Sequence, residues 1–140
     1  LDAVFLTTKT VLPWMQDAKK GAIVNVASVV GLKGVAYMSA YGAAKAGLIN
    51  FTRATAVEAA PHVRVNCIIP GAVLTPATKR AIPDDELMEA TINTIPLKRI
   101  AKPIELAKPI TFLLSSDASF ITGASLVVDG GKTADLNAGN

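Results

Sequence analysis

Residues 22–27 read Ala-Ile-Val-Asn-Val-Ala, a short and mostly apolar run that is followed by the hydroxyl of Ser28. A strand that is covered on both faces has this pattern, whereas a half-exposed strand alternates between polar and apolar residues. Residues 63–69 read Val-Arg-Val-Asn-Cys-Ile-Ile, and residues 126–128 give a third short apolar run. The sequence therefore predicts three strands of a buried sheet.

The segments between these strands carry helical signals. Apolar spacing predicts a helix over residues 3–15, and an alanine-rich segment predicts a long helix over residues 40–60. Acidic residues at 84–86 suit the start of a third helix. A proline begins a fourth helix over residues 103–114, which Pro109 should kink. Helices that alternate with apolar strands predict an α/β fold with a parallel sheet.

The composition describes a globular chain and restricts its partners. Of the 140 residues, 51% are hydrophobic and 18% are charged, and the net charge is +3. The basic residues are scattered, and the aromatic residues (5%) are not interleaved with them. A nucleic-acid groove needs a concentrated basic face or stacking rings, so we expect no nucleic-acid partner. A basic binding module remains the weakest alternative, and a steep salt dependence of its affinity would identify it.

Cysteine and histidine are too few to build a disulfide or a metal centre. Cys67 is the only cysteine and lies in an apolar run, so we expect a buried filler in a reducing, cytoplasmic compartment. One cysteine and one histidine, His62, predict no metal site. The sequence predicts no membrane span and no secretion signal. Because the first residue is Leu1 rather than Met, we expect the chain to start downstream of a native start.

Four polar or turn-forming features fall at one predicted edge of the sheet. Ser28 directly follows the first strand, and Pro70 and Gly71 directly follow the second. Tyr41 and Lys45 lie in the first turns of the helix that leaves the same edge. Ligands in parallel sheets bind beyond the carboxyl ends of the strands, so these residues are predicted to share one site.

The chemistry of this set suits proton transfer at an alcohol or a carbonyl. Residues four apart share a helix face, so the Lys45 ammonium can reach Tyr41, and a nearby cation favours a phenolate. Tyr41 could take a proton from an alcohol or give one to a carbonyl oxygen. The Ser28 hydroxyl could donate to the same oxygen. None of these side chains accepts a hydride, so the reaction requires a cofactor.

Each feature also has an ordinary structural explanation. A Tyr four residues before a Lys is common on helix surfaces, and Ser28 alone could be a loop serine or a helix cap. Pro70 and Gly71 alone are a turn that ends a strand, and Thr75 before a proline is a turn residue. Their joint placement at one edge favours a site inherited from an enzyme.

The same residues carry a resemblance to a known family. The chain resembles the short-chain dehydrogenase/reductases, and the matching segments extend over nearly the whole chain up to the polar residues at its end. They are Ile23-Val24-Asn25-Val26-Ala27-Ser28, Tyr41-Gly42-Ala43-Ala44-Lys45-Ala46-Gly47, Val65-Asn66-Cys67-Ile68-Ile69-Pro70-Gly71-Ala72-Val73-Leu74-Thr75, Ile121-Thr122-Gly123 and Val128-Asp129-Gly130-Gly131.

The resemblance implies roles for these residues and a cofactor, NAD or NADP. It makes Tyr41 the catalytic acid/base and Ser28 the hydroxyl that orients the substrate, and it has Lys45 also bind the nicotinamide ribose. It assigns a set of loop residues to the nicotinamide, with Thr75 at the carboxamide or phosphates: Pro70, Gly71, Ala72, Val73 and Thr75. It implies a small alcohol or carbonyl substrate and a homo-dimer or homo-tetramer, formed by the first two helices and by the last strand with its preceding helix.

The resemblance also shows what the chain lacks. The family's glycine-rich phosphate turn, the residue that selects NAD or NADP, the Asn-Asn-Ala-Gly segment and a catalytic Asn have no counterpart here. We therefore expect a Rossmann-like doubly wound parallel sheet of which only the C-terminal part is present. Residues 1–131 would be that part of one dehydrogenase domain, and residues 132–140 a mobile polar tail.

Two consequences of this partial match stay open. The first strand would lack a neighbour, so we expect the isolated chain to associate rather than remain a well-behaved monomer. The alternative to an enzyme fragment is a truncated, non-catalytic relative that acts by pairing through its helices. The substrate is not selected by the sequence, although residues 29–38 and 77–95 are predicted to shape its pocket.

Overall fold

The three strands form one parallel sheet in the computed structural model, which describes residues 1–135. Strand β1 is Gly21–Val26, β2 is Val63–Pro70 and β3 is Ser125–Val128, and the spatial order is β1-β2-β3. Both pairings are parallel. The predicted α/β architecture and the approximate position of each strand are therefore confirmed.

Five helices accompany the sheet within the described residues. They are α1 (Asp2–Asp17), α2 (Ser39–Ala59), α3 (Pro76–Ala81), α4 (Asp85–Asn93) and α5 (Pro103–Leu114). Single 3₁₀ turns lie at Val29–Gly31 and Ser116–Ala118. Helix α5 continues through Pro109 to Leu114, so the proline does not end the helix.

Strand β2 is the centre of the core. Its odd-numbered side chains pack against α2, and two clusters result: Ala27, Leu48, Ile49, Cys67 and Ile69 form the first, and Ala56, Ala59, Val63 and Val65 form the second. Leu12 and Met15 of α1 pack against the second cluster. Burial raises the pKa of the Cys67 thiol. The prediction of a buried cysteine in an apolar strand is confirmed.

The other face of β2 is tied to the end of α5. The Arg64 guanidinium donates to the carbonyls of Leu113 (2.7 Å) and Ser115 (2.9 Å), among others. These bonds satisfy carbonyls that the last turn of a helix leaves without intrahelical partners. Arg64 therefore fixes α5 to the amino end of the sheet, opposite the edge where the strands end.

Strand β1 is less covered than predicted. Asn25 is buried and donates from Nδ2 to Thr52 Oγ1 at 2.9 Å, but Val26 is 47% exposed and the rest of the strand is half-buried. The difference arises because β1 lies at the edge of the sheet and pairs only with β2 in the described part of the chain. The prediction of a strand covered on both faces, made for residues 22–27, is wrong for β1, and β2 is the strand that is buried along nearly its whole length.

The segment after β3 begins as an ordered turn. The Asp129 carboxylate accepts from Gly131 N (2.9 Å) and from the N–H and the hydroxyl of Thr133 (2.7 Å each). Burial raises the pKa of Asp129, but these hydrogen bonds outweigh it and hold that pKa below its usual range. The turn thus extends into the predicted tail of residues 132–140, of which residues 136–140 lie outside the described residues.

Within residues 1–135, no helix is long and apolar enough to cross a membrane.

Candidate active site

Ser28 leaves the sheet where β1 ends and begins the next turn. Its backbone is extended (φ −166°, ψ 153°), and its Oγ accepts from Val30 N at 3.3 Å. The hydroxyl therefore caps the 3₁₀ turn at Val29–Gly31. A serine hydroxyl that accepts one hydrogen bond still has its own O–H to donate, so capping leaves Ser28 able to bind a second oxygen.

Gly31 allows the Val29–Gly31 turn to contact α2 at Lys45. A Cβ on Gly31 would lie 2.8 Å from both Ala46 N and the Lys45 carbonyl carbon. No side chain fits at that distance from a helix backbone. Gly31 therefore allows the first turns of α2 to pack directly against the segment that carries Ser28.

Tyr41 and Lys45 lie together beside the end of β1. The Lys45 Nζ donates to the Val26 carbonyl at 2.9 Å and lies 5.6 Å from the centroid of the Tyr41 ring. This separation is within the range of a cation–π interaction. Tyr41 is 46% exposed, so its ring is open to a ligand. The structure thus brings the predicted phenol and ammonium together at the carboxyl end of β1.

The predicted bend after β2 contacts the segment after β3. Gly71 N donates to the Val128 carbonyl at 3.0 Å, and a Cβ on Gly71 would lie 2.8 Å from Asp129 Cβ. Only glycine allows this approach, which explains why glycine follows Pro70. The ends of β2 and β3 are thereby joined at the edge where Ser28 also lies.

The loop after Gly71 is held by a parallel bridge to Ala101. Ala101 N donates to the Ala72 carbonyl at 3.2 Å, and Leu74 N donates to the Ala101 carbonyl at 2.8 Å. In this arrangement both backbone polar groups of Val73 point away from Ala101. The Val73 carbonyl accepts from Thr78 Oγ1 at 2.6 Å. Its N–H has no acceptor among residues 1–135 and is available to a ligand.

Thr75 has a structural task in this loop. Its Oγ1 accepts from Thr78 N at 3.2 Å and lies 3.1 Å from Thr78 Oγ1, so it caps α3. The contact with a carboxamide or phosphate that the family resemblance implies for Thr75 stays a prediction.

The residues present fit the nicotinamide end of a dinucleotide. The free N–H of Val73 can donate to a carboxamide oxygen, and the Lys45 ammonium has further donors for ribose hydroxyls besides the one that binds the Val26 carbonyl. The described residues bring no glycine-rich phosphate turn to this edge. These donors make the edge a candidate site for the nicotinamide end of a dinucleotide.

One group at this edge was missed by sequence reasoning. Arg99 donates to Glu105 through two parallel hydrogen bonds of 2.7 and 2.6 Å, and both residues line a cavity behind the loop together with Ala72, Ala101 and Asp129. The two residues are six apart and lie on no common predicted helix. No spacing rule could have paired them.

Comparison with known proteins identifies what this arrangement resembles. A family model described as enoyl-(acyl carrier protein) reductase matches residues 1–133. The chain is 42% identical over 134 residues to cyclopentanol dehydrogenase of Comamonas testosteroni, covering 95% of this chain and 54% of that protein. It is 47% identical over 136 residues to cis-4-hydroxycyclohexanecarboxylate dehydrogenase of Sinomonas cyclohexanicum, covering 96% and 53%.

A solved structure supports the same relationship. ElxO with NADP bound superposes with a TM-score of 0.87 at 33% identity, covering 94% of this chain and 54% of that one. The chain spans about half the length of the curated relatives it matches.

Proposed function

We propose, because the chain belongs to the short-chain dehydrogenase/reductase family, that it is part of an NAD(P)-dependent oxidoreductase that interconverts an alcohol and a carbonyl compound. The observation that carries the proposal is the position of the Lys45 ammonium. It is bound to the Val26 carbonyl and lies against the Tyr41 ring, at the edge where Ser28 and the Gly71 bend also lie.

Tyr41 is proposed to move the proton. In the oxidation direction, its phenolate takes the proton of the substrate hydroxyl while a hydride leaves the carbon that bears this hydroxyl. In the reduction direction, its phenol returns that proton to the carbonyl oxygen. Lys45 stabilises the phenolate by its charge, and the Ser28 O–H donates to the substrate oxygen and orients it.

The cofactor, NAD or NADP, supplies the hydride acceptor or donor when it is bound. Lys45 is proposed to bind its nicotinamide ribose, and the Val73 N–H its carboxamide. Pro70, Gly71 and Ala72 would form the wall against the ring. The carboxamide or phosphate contact of Thr75 completes the set.

The proposed substrate is a small carbinol with an apolar body. Apolar side chains stand exposed on the segments predicted to shape the pocket: Met38 is 44% and Leu87 45% exposed. Two relatives are named for ring alcohols, cyclopentanol and a hydroxycyclohexanecarboxylate. We therefore propose a secondary alcohol or ketone, with saturated ring compounds as the first to test.

A homo-dimer or homo-tetramer is part of the proposal. Helix α1 exposes Phe5, Leu6 and Trp14, the last of them to 72%. Strand β3 exposes Leu126 and Val127 to 38% each. Monomeric surfaces rarely carry apolar patches of this kind, and the two faces are those that the family resemblance assigns to subunit contacts.

The proposal is tested by Tyr41→Phe in the complete protein, with Tyr37→Phe as the matched control. General acid–base catalysis contributes roughly 10²- to 10⁴-fold, so Tyr41→Phe should lower kcat by at least about 10²-fold. The dissociation constant for NAD(P) should change little. Tyr37 is fully exposed and lies in a segment predicted to shape the substrate pocket, so its variant should keep the wild-type kcat while KM is free to change. Unchanged turnover in Tyr41→Phe would remove Tyr41 from the mechanism.

A further inference from the structure

The side chains of Arg99 and Glu105 bond to each other and so join the two ends of residues 99–105, the segment that leads into α5. Arg99 Nη1 and Nη2 donate to the two carboxylate oxygens of Glu105 at 2.7 and 2.6 Å. Glu105 Oε2 also accepts from Lys102 N at 2.8 Å, which caps the first turn of α5. The carboxylate thus joins the start of a helix to the segment before it through three hydrogen bonds.

Ala101 lies within residues 99–105 and forms the backbone hydrogen bonds that hold the loop after β2. Its N–H and its carbonyl bond Ala72 and Leu74, one on each side of Val73. The position of the Val73 N–H therefore depends on the position of Ala101. Ala101 in turn lies between the two residues that the ion pair connects.

We propose that the Arg99–Glu105 pair positions the 72–74 loop for the nicotinamide and thereby sets the affinity of the complete protein for NAD(P). The proposal rests on the proposed function, because it needs a cofactor at Val73. Neither side chain is proposed to touch the cofactor or the substrate. They are positioning residues that act through Ala101.

The geometry distinguishes this pair from an ordinary surface ion pair. Most exposed pairs contribute little because two flexible side chains must be ordered to form one contact. Here the contact is bidentate, which fixes the guanidinium and the carboxylate in one plane. The carboxylate is already fixed by Lys102 N, so less side-chain freedom remains to be lost. The same pair lines the cavity behind the loop together with Ala72 and Ala101.

The test measures NAD(P) dissociation constants and melting temperatures of the complete protein. Glu105→Gln keeps an oxygen that can accept from Lys102 N and removes the charge. Arg99→Lys keeps the charge and removes the bidentate geometry. Each variant should raise the dissociation constant roughly three- to tenfold, in the range of a well-ordered ion pair. The double variant Arg99→Met/Glu105→Gln should bind NAD(P) no more weakly than Glu105→Gln alone, because the two substitutions remove the same contact.

Arg64→Lys is the control for general loosening. Arg64 also crosslinks elements through its guanidinium, but at the amino end of the sheet. It should lower the melting temperature at least as much as the Glu105 variant and change the dissociation constant less than about twofold, because it leaves the 72–74 loop intact.

Weakened binding in both Glu105→Gln and Arg99→Lys, with unchanged binding in Arg64→Lys, supports the proposal. Wild-type affinity in either Glu105→Gln or Arg99→Lys, or equal weakening in Arg64→Lys, overturns it and leaves the proposed function standing. Absence of NAD(P) binding by the wild-type protein contradicts the proposed function and the positioning role with it.

Discussion

Glu105 has the most strongly displaced acid–base equilibrium among the described carboxylates. The hydrogen bonds from Arg99 and then from Lys102 N lower the pKa of Glu105 from its usual 4.5 to about 2. A lowered pKa in the folded state means that the pair stabilises the fold above pH 4.5. That stability is lost as the pH falls towards the folded-state value of about 2.

The prediction compares the wild-type complete protein with Glu105→Gln across this range. The wild-type protein should melt at a higher temperature by a constant amount above pH 4.5, and the difference should vanish as the pH approaches about 2. Because the Arg99 side chain is 52% exposed and the Glu105 side chain 34%, added salt should reduce the difference at neutral pH. Calorimetric scans over this range check it. A melting-temperature difference that grows as the pH falls would contradict this prediction.

At the same scale, the sequence was sufficient for the residues whose partners are local. The i, i+4 relation of Tyr41 and Lys45 follows from helix geometry, and the structure places them together. It was insufficient where a side chain bonds to distant backbone. The bond of Lys45 to the Val26 carbonyl spans 19 residues and depends on how α2 packs against β1.

At the scale of elements, the contact of the Val29–Gly31 turn with α2 fixes how that helix packs beside the end of β1. Gly31→Ala would place a methyl group 2.8 Å from the helix backbone, which cannot move as a flexible side chain can. Such overpacking costs roughly 1–3 kcal/mol. The change should also shift Lys45 and weaken turnover, because the clash involves the Lys45 carbonyl carbon itself.

Gly34→Ala is the matched control for this prediction. No atom lies within 4 Å of a Cβ at Gly34, so the variant should be neutral or slightly stabilising through the unfolded chain. Urea unfolding of both variants of the complete protein gives the two free energies. Equal stability of Gly31→Ala and Gly34→Ala would show that the turn is not in close contact with α2.

The elements themselves were largely predictable. The apolar runs gave all three strands to within a residue, and helix α5 was predicted over its whole length. The six-residue helix α3 was not expected, because too few residues repeat to give a helical period and its start depends on the Thr75 cap. The bridge between Val73 and Ala101 also escaped prediction, since isolated pairings 28 residues apart leave no local pattern.

At the scale of the whole molecule, both outer strands of the sheet, β1 and β3, pair only with β2 among the described residues. Strand β1 pairs only with β2, and Val26 at its end is nearly half exposed. Open strand edges with apolar side chains favour association with other chains. Together with the exposed faces of α1 and β3, this supports the prediction that the chain by itself associates.

The most direct test of the central claim is a crystal structure of the complete protein with NAD(P) and a bound alcohol. Both Tyr41 Oη and Ser28 Oγ should lie within about 3.2 Å of the substrate oxygen. A Tyr41 hydroxyl that faces solvent, away from the substrate oxygen in an otherwise intact fold, would contradict the account.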